Sequence, residues 1–201
     1  MPATERATPR VQALRSQYVA VIAQRSDVSH FHFLDETGLR LDYSRRYARA
    51  RGSRRVGQGV PLTRGRSLTL IGVLSMRGLQ AVQVLEGALT QRSFALYIGH
   101  SLGPRLRRGE VLVLDNLRVH HLRGLREWLA ERGVDVLFLP PYSPDFTPVE
   151  QAWSKLKTAL RQAQARSQQA LETALKKAIR WITSADARNW FHHCGYHVHC
   201  S

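Results

Sequence analysis

Three acidic residues stand where apolar segments end or begin. Asp35 closes the strand-like run at residues 31–34, and Asp115 closes a similar run at residues 111–114. Glu150 opens a helical pattern, with 34 residues between it and Asp115. Two divalent cations held a few Å apart need hard oxygen ligands that balance their charge. The three carboxylates therefore predict a two-metal site for phosphodiester chemistry on nucleic-acid strands.

Two of these acids also have a purely structural interpretation. Glu150 follows Thr147 at the spacing of a capping box, in which the glutamate binds the N–H of the cap residue. Asp115 alone fits a turn residue that makes an Asx hydrogen bond. Their combination with Asp35, and with a rigid segment before Glu150, favours the metal site. That segment owes its rigidity to Pro140, Pro141, Pro144 and Pro148.

Hydrophobic periodicity defines the elements that would carry these acids. Apolar residues at helical spacing predict a helix over residues 11–24, ahead of the Asp35 strand. Two apolar runs, at residues 67–76 and 79–85, are joined by Arg77-Gly78 and predict an antiparallel hairpin. We expect the Asp35 strand to pair beside this hairpin.

The second half of the chain alternates helices and strands. The predicted segments are a helix at 90–100, the strand before Asp115, a helix at 121–132, a strand at 134–139, a helix from Pro148 and a helix at 168–183. One apolar stripe runs along the helix from Pro148, formed by Val149, Trp153, Leu156 and Leu160. This order predicts an α/β fold in which a mixed five-stranded sheet is flanked by helices.

The chain is strongly basic, with 30 Lys and Arg against 15 Asp and Glu. Such an excess favours a polyanionic partner, because displaced counterions supply most of the sequence-independent affinity for DNA. Residues 41–66 concentrate arginines without apolar periodicity and predict an extended surface loop or hairpin that contacts phosphates. The candidate DNA-binding residues are Arg45, Arg46, Arg49, Arg51, Arg54 and Arg55. A solvated charged loop is the competing interpretation.

The cysteines and the apolar segments indicate a cytoplasmic protein. Cys194 and Cys200 both lie in the last eight residues and cannot form a disulfide framework across a domain. No segment approaches the apolar length of a membrane span, so we expect no membrane partner.

Three short motifs surround the acidic residues. They are Phe33-Leu34-Asp35-Glu36-Thr37-Gly38, then Leu114-Asp115-Asn116 with His120, then Leu139-Pro140-Pro141-Tyr142-Ser143-Pro144-Asp145-Phe146-Thr147-Pro148-Val149-Glu150 with Trp153 and Lys157. Together they resemble the catalytic domain of mariner-like DDE transposases, and in particular the bacterial insertion-sequence branch called IS-six-thirty. The resemblance spans about residues 30–165, and the proline-rich block is its most specific part.

The resemblance implies an RNase H-like fold in which Asp35, Asp115 and Glu150 bind two Mg²⁺ or Mn²⁺ ions. It also implies that Asn116 and His120 flank the second acid as supporting or DNA-contacting groups. For His120, a solvent-facing position at a helix start is the alternative.

The remaining acids of these motifs are expected to lie outside the metal site. Glu36 should point to the opposite face from Asp35 along a strand, so we exclude it. Asp145 is a turn residue and the runner-up ligand. The family usually has Asn-Pro before the third acid, and here Thr147-Pro148 replaces it; Thr147 still fits as an N-cap.

We expect three regions: a lead-in helix in residues 1–26, the catalytic domain in 27–165, and a C-terminal helix and tail in 166–201 packed on it. About thirty residues precede the first motif, too few for the helix-turn-helix modules with which the family reads transposon ends. The resemblance therefore implies a separate helix-turn-helix protein or a frameshift-fused N-terminal part. It further implies double-stranded DNA partners, a homodimer in the DNA complex and a place in the bacterial nucleoid.

The sequence thus predicts metal-dependent DNA strand cleavage and strand transfer, as in transposition of an insertion sequence. Two rival functions are compatible with the same residues. One is an RNase H-like nuclease, such as a junction resolvase, that cuts without joining. The other is a catalytically inactive DNA-binding remnant of a mobile element.

Overall fold

A computed structural model describes residues 4–25, 27–40 and 67–197. Within these ranges one mixed sheet has the strand order β3-β2-β1-β4-β5. Its strands are β1 (Phe31–Leu39), β2 (Leu68–Ser75), β3 (Gly78–Glu86), β4 (Val111–Leu114) and β5 (Asp135–Phe138). The α/β fold with a mixed five-stranded sheet is confirmed, including the hairpin of β2 and β3.

Helices flank this sheet. In the described ranges the α-helices are α1 (Pro9–Ala23), α2 (Gln91–Leu96), α3 (Leu125–Ala130), α4 (Val149–Ala163), α5 (Gln168–Ile179) and α6 (Ser184–His193). None of them is long and apolar enough to span a bilayer. Helix α3 is shorter than the predicted 121–132, because the chain first makes a 3₁₀ turn at Arg118–His120 and then passes Gly124 in a left-handed conformation (φ 79°).

Helix α6 is an element that the sequence interpretation missed. The predicted helix over 168–183 ends at Ile179, and a new helix starts after Thr183. The Thr183 hydroxyl accepts a hydrogen bond from the Asp186 N–H (3.1 Å), and the Asp186 carboxylate accepts one from the Thr183 N–H (2.8 Å). This capping box fixes a helix start and so divides the C-terminal region into two helices.

Strand pairing brings the first two acids to the same level of two neighbouring strands. Strand β1 is antiparallel to β2 and parallel to β4, and Phe33 is aligned with Val113. Two residues further along each parallel strand lie Asp35 and Asp115. Because side chains alternate along a strand, Asp35 projects from the same face of the sheet as Phe33.

Each face of the sheet is covered by its own apolar core. The face toward α1, α4, α5 and α6 buries Phe33, Trp153 and Leu160, and the whole predicted stripe of α4 is buried there. The face toward α2 and α3 buries Leu34 and Phe94. Burial of a side chain of this size stabilises the fold by about 1.5–3 kcal/mol.

An aromatic cluster ties the C-terminal region into the first core. The ring of Phe33 lies 5.1 Å from that of Phe191, edge to face, and 4.9 Å from that of Tyr196. Phe31 is 6.0 Å from Tyr196. Since Phe33 is central in the sheet, the residues after α6 are part of the core.

Candidate active site

Asp35, Asp115 and Glu150 line one open cleft of about 460 Å³. They come from strand β1, from the end of β4 and from the first turn of α4. The structure thus brings together the three acids that the sequence singled out. The rest of the lining consists of Asn116, Leu117, Leu139, Pro140, Pro141, Tyr142, Ser143, Pro144 and Thr147.

Asp35 is held by a buried tryptophan. The Trp153 Nε1–H donates a hydrogen bond of 3.0 Å to Asp35 Oδ2. Burial, together with the negative charges of Glu150 and Glu36, raises the pKa of Asp35 to about 7. Sequence reasoning placed Trp153 in the apolar stripe and in a family motif, but missed its role as a donor to the acid.

A glycine makes room for this tryptophan. Gly72 lies opposite Asp35 in the pairing of β1 with β2. A Cβ atom at Gly72 would lie 3.1 Å from Trp153 Cη2 and 3.3 Å from the Val82 side chain. The register of β2 against β3 also shifts at this point, as at a bulge. Gly72 therefore permits the close approach that lets the indole reach Asp35.

Asp115 is fixed through only one of its two oxygens. Its Oδ1 accepts hydrogen bonds from the Leu117 N–H (3.1 Å) and from His120 Nδ1 (2.5 Å). In the described part of the chain no hydrogen bond occupies Oδ2, which is left for a ligand. His120 is fully buried and packs on Phe94, with ring centroids 4.7 Å apart. The solvent-facing alternative for His120 is therefore wrong.

Glu36 joins this arrangement from the other side of the histidine. Its side chain points away from Asp35, as expected, and its Oε2 lies 3.2 Å from His120 Nε2, although the two atoms are not aligned as a hydrogen bond. Burial alone would lower the pKa of His120, but the hydrogen bond to Asp115 and the contact with Glu36 raise it to about 9. The buried His120 ring thus lies between Glu36 and Asp115, an arrangement that the sequence interpretation did not foresee.

Glu150 is exposed at the start of α4 and does not form the capping box. Helix α4 begins at Val149, and among the described residues the Thr147 hydroxyl caps no N–H group. Only backbone atoms connect the two residues, the Glu150 N–H donating to the Thr147 carbonyl (3.2 Å). Pro148 already has helical dihedrals (φ −64°, ψ −20°) and starts the helix without a side-chain cap. The expectation of Thr147 as an N-cap is therefore wrong.

The other two predicted positions near the acids behave differently. Asn116 lines the cleft, and its Oδ1 contacts His121 Nε2 at 2.7 Å. Asp145 instead forms ion pairs with Arg15 (2.6 Å) and Arg6 (3.0 Å). Burial would raise the pKa of Asp145, but Arg15 and Arg6 lower it. The runner-up role of Asp145 as a metal ligand is thus wrong, because its carboxylate is already neutralised by arginines.

Comparison with known proteins identifies the family of this site. A family described as DDE superfamily endonuclease matches residues 30–172. The chain belongs to that family. The matched range contains all three acids, His120 and Trp153. No curated protein matches the chain.

Solved structures share the fold of this DDE endonuclease. The Mos1 transposase paired-end complex with left transposon end has a TM-score of 0.73 and 16% identity, covering 96% of this chain and 60% of that chain. The catalytic domain of Mos1 mariner transposase has a TM-score of 0.67 and 14% identity, and the match covers 96% of this chain and 91% of that chain. The Mos1 mariner paired-end complex with Mn has a TM-score of 0.68 and 16% identity, and the match covers 96% of this chain and 61% of that chain.

These similarities establish an RNase H-like fold for the DDE endonuclease. The chain spans about 60% of the length of the Mos1 proteins in the two paired-end complexes. It spans nearly all of the Mos1 catalytic domain, and the match extends beyond residues 30–172 to almost the entire chain.

The cleft of this DDE endonuclease has the chemistry of a divalent-cation site. Carboxylate oxygens are hard ligands, and the raised pKa of Asp35 reports crowded negative charge that a cation would relieve. Within the described ranges no three His, Cys, Asp or Glu side chains close around a single metal position. The three acids thus share the cleft without enclosing one position.

The candidate DNA-binding arginines are not among the described residues. Residues 41–66 fall outside the described residues. The assignments of Arg45, Arg46, Arg49, Arg51, Arg54 and Arg55 to DNA contact therefore remain predictions.

Proposed function

We propose that this DDE endonuclease is the catalytic domain of a transposase that cleaves DNA strands and joins a 3′ end to target DNA. Asp35, Asp115 and Glu150 are the proposed catalytic residues, holding two Mg²⁺ or Mn²⁺ ions. The observation that carries the proposal is the convergence of three carboxylates on one open cleft, with the pKa of Asp35 raised to about 7 by burial and by neighbouring acids. Such crowding costs stability and is typical of functional sites.

The side chains around the cleft serve to orient the ligands. Bound divalent ions would activate the attacking oxygen and neutralise the leaving oxygen of a phosphodiester. Trp153 fixes the rotamer of Asp35, and His120 holds Asp115 through Oδ1 so that Oδ2 faces the cleft. Partners of this kind are worth about 10- to 100-fold in metal affinity or activity. Glu36 supports His120 from behind and is not itself a proposed ligand.

The loop between β5 and α4 positions the third acid. Its prolines fix four φ angles, which lowers the entropic cost of holding Glu150 at the cleft. Tyr142 in this loop has φ 55°, a left-handed conformation that non-glycine residues rarely adopt. The loop therefore has little conformational freedom in the folded protein.

The partners follow from the same proposal. The basic charge and the arginines of residues 41–66 supply phosphate contacts for transposon-end and target DNA. The Mos1 structures include a complex with a left transposon end and others with Mn or Mg. We further propose the bacterial insertion-sequence branch, a homodimer on DNA in the nucleoid, and recognition helices supplied by another polypeptide or a frameshift fusion.

The test is substitution of Asp115 in paired nicking and gel-shift assays. Asp115→Asn should abolish Mn²⁺-dependent nicking and leave DNA binding near the wild-type level, because it removes one ligand charge without touching the basic surface. Asp135→Asn is the matched control, since Asp135 is an exposed acid at the start of β5 that pairs with Arg25. Normal nicking by Asp115→Asn would remove this residue from the mechanism.

Strand joining separates the proposal from its rivals. A transposase joins a 3′-OH end to target DNA, whereas an RNase H-like nuclease only cuts and an inactive remnant does neither. The assay uses labelled end DNA carrying the repeats that flank the gene. Cutting without any joined product would favour the nuclease.

The arginine segment gives a separate prediction. Replacing all six candidate arginines with glutamine should lower DNA affinity at least 10-fold. It should also flatten the salt dependence of binding, because a protein that contacts fewer phosphates releases fewer counterions from the DNA. The matched control is the six-lysine variant, which keeps the charge and should keep most of the affinity. Equal affinity of the glutamine variant and the wild type would favour the solvated-loop interpretation. The melting temperature (Tm) of both variants should equal that of the wild type.

A further inference from the structure

Side chains of helix α1 bind the turn at Pro144–Phe146, which precedes the third acid, Glu150. Both terminal nitrogens of the Arg15 guanidinium donate to Asp145, Nη1 to Oδ1 at 3.0 Å and Nη2 to Oδ2 at 2.6 Å. Nη1 also donates to Ser143 Oγ at 2.7 Å, and Ser143 Oγ donates to the Pro141 carbonyl at 3.1 Å. The Arg15 side chain is only 12% exposed. A two-pronged, partly buried guanidinium–carboxylate pair is both strong and geometrically specific.

Aromatic contacts with Phe146 also hold this turn in place. The Arg15 guanidinium lies 4.3 Å from the centre of the Phe146 ring, and the Tyr18 ring stacks on Phe146 at 5.3 Å. The Tyr196 hydroxyl donates to the Phe146 carbonyl at 2.8 Å and lies 2.8 Å from the Tyr18 hydroxyl. The turn Pro144–Phe146 is therefore held by its side chains and by its backbone.

The residues that hold this turn lie outside the family match. Arg15 and Tyr18 precede residue 30, and Tyr196 follows residue 172. The turn itself leads into α4 through Thr147 and Pro148, and within the described part of the chain no side-chain cap anchors the helix start. The position of Glu150 thus depends on the position of the turn. A shift of about 1 Å at a catalytic group can cost on the order of 100-fold in rate.

We propose that Arg15 is a positioning residue for Glu150, and that helix α1 sets the geometry of the third acid through the turn at Pro144–Phe146. This inference rests on the proposed function, because it assigns Glu150 a metal-binding role. Arg15 acts at a distance from Glu150, because its contacts are with Ser143, Asp145 and Phe146. Its effect passes through Asp145 and Phe146 to the first turn of α4.

The experiment compares Arg15→Ala with Arg10→Ala. Arg10 lies in the first turn of the same helix and is exposed, and its side chain makes no hydrogen bond or ion pair with other described residues. The first readout is Mn²⁺ affinity of the DNA-free protein by isothermal titration calorimetry. The second is the Mn²⁺ concentration that gives half-maximal nicking. Arg15→Ala should weaken both about 10-fold, and Arg10→Ala should leave both unchanged.

Conservative variants separate positioning from simple loss of fold. Arg15→Lys keeps the charge but cannot bind Asp145 through two parallel hydrogen bonds, so its Mn²⁺ affinity should fall between those of the wild type and Arg15→Ala. Asp145→Asn should reproduce the Arg15→Ala defect, and the double variant should be no worse than either single one. Additive losses in the double variant would overturn the coupling.

The outcomes distinguish this inference from the proposed function. If the wild type neither binds Mn²⁺ nor nicks DNA, the proposed function fails and this inference fails with it. If the wild type does both and Arg15→Ala matches Arg10→Ala at equal folded fraction, only the positioning role of Arg15 is overturned.

Discussion

The paired strands β1 and β4 carry buried or half-buried acids in opposite electrostatic states, one before the start of β4 and one on β1 level with the end of β4. Glu110 precedes β4 and lies 3.1 Å from His32 Nε2 and 3.2 Å from Arg77 Nη2, and it accepts the Arg107 N–H at 2.7 Å. Level with the other end of β4, Asp35 is buried beside the charges of Glu150 and Glu36, and among the described residues its side-chain donor is the Trp153 N–H.

The pKa values record the difference. Burial would raise the pKa of Glu110, but the Arg107 N–H, His32 and Arg77 lower it below its usual range. The pKa of Asp35 is raised to about 7 because burial and neighbouring acids act in the same direction. The first end is neutralised within the protein and serves stability. The second end is left with negative charge that a metal ion can neutralise, as an active site requires.

The largest expected effect is on stability at the neutralised end. Glu110→Ala should lower the free energy of unfolding by about 1–3 kcal/mol, because it leaves the buried His32 side chain without its hydrogen-bond partner. Denaturant unfolding measures the loss. The rate of nicking per folded molecule should stay at the wild-type value, and a selective loss of nicking would break the comparison by giving Glu110 a functional role.

The next effect concerns activity at the other end. Trp153→Phe keeps an aromatic ring in the core but removes the hydrogen bond to Asp35, so nicking should fall about 10- to 100-fold while stability falls by about 1 kcal/mol. Nicking rate and denaturant unfolding are measured on the same preparations. Trp128→Phe serves as the control, since Trp128 packs in the other core. A proportional loss of activity and stability would mean that Trp153 serves packing alone.

The smallest effect is on the pH dependence of stability. A group with a pKa lower in the folded than in the unfolded state stabilises the fold above its unfolded pKa, and this stability is lost as the pH falls. For Glu110 the unfolded value is near 4.5. The difference in Tm between the wild type and Glu110→Gln should therefore reach its maximum above about pH 4.5 and decrease as the pH falls below that value. A difference that grows toward acid pH would contradict the lowered pKa of Glu110.

Local patterns predicted most of the fold. The apolar runs of β1, β2, β3 and β4 and the stripe of α4 are visible in the sequence because their periodicity is a property of neighbouring residues. Helix α6 was missed because Trp190 and Phe191 follow a polar stretch of residues that resembles a tail. Its capping pair, Thr183 and Asp186, was the available signal.

The three acids of the site could be predicted from the sequence, but the residues that hold them in place could not. Asp35, Asp115 and Glu150 could be named because each stands in a recognisable motif. The contact of Trp153 with Asp35 joins residues 118 apart in sequence, and that of Arg15 with Asp145 joins residues 130 apart. Such contacts depend on which faces meet after folding. The same reason hid the approach of Glu36 to His120 across the second face of the sheet.

The aromatic cluster around Phe33 also constrains when this protein can fold during its synthesis. Phe33 is fully buried by rings that include Phe191 and Tyr196, more than 150 residues later in the chain. Domains fold as units, so a nascent chain that has not yet released residue 196 from the ribosome leaves this core open. The core around Phe33 can therefore close only after Phe191 and Tyr196 have been synthesised.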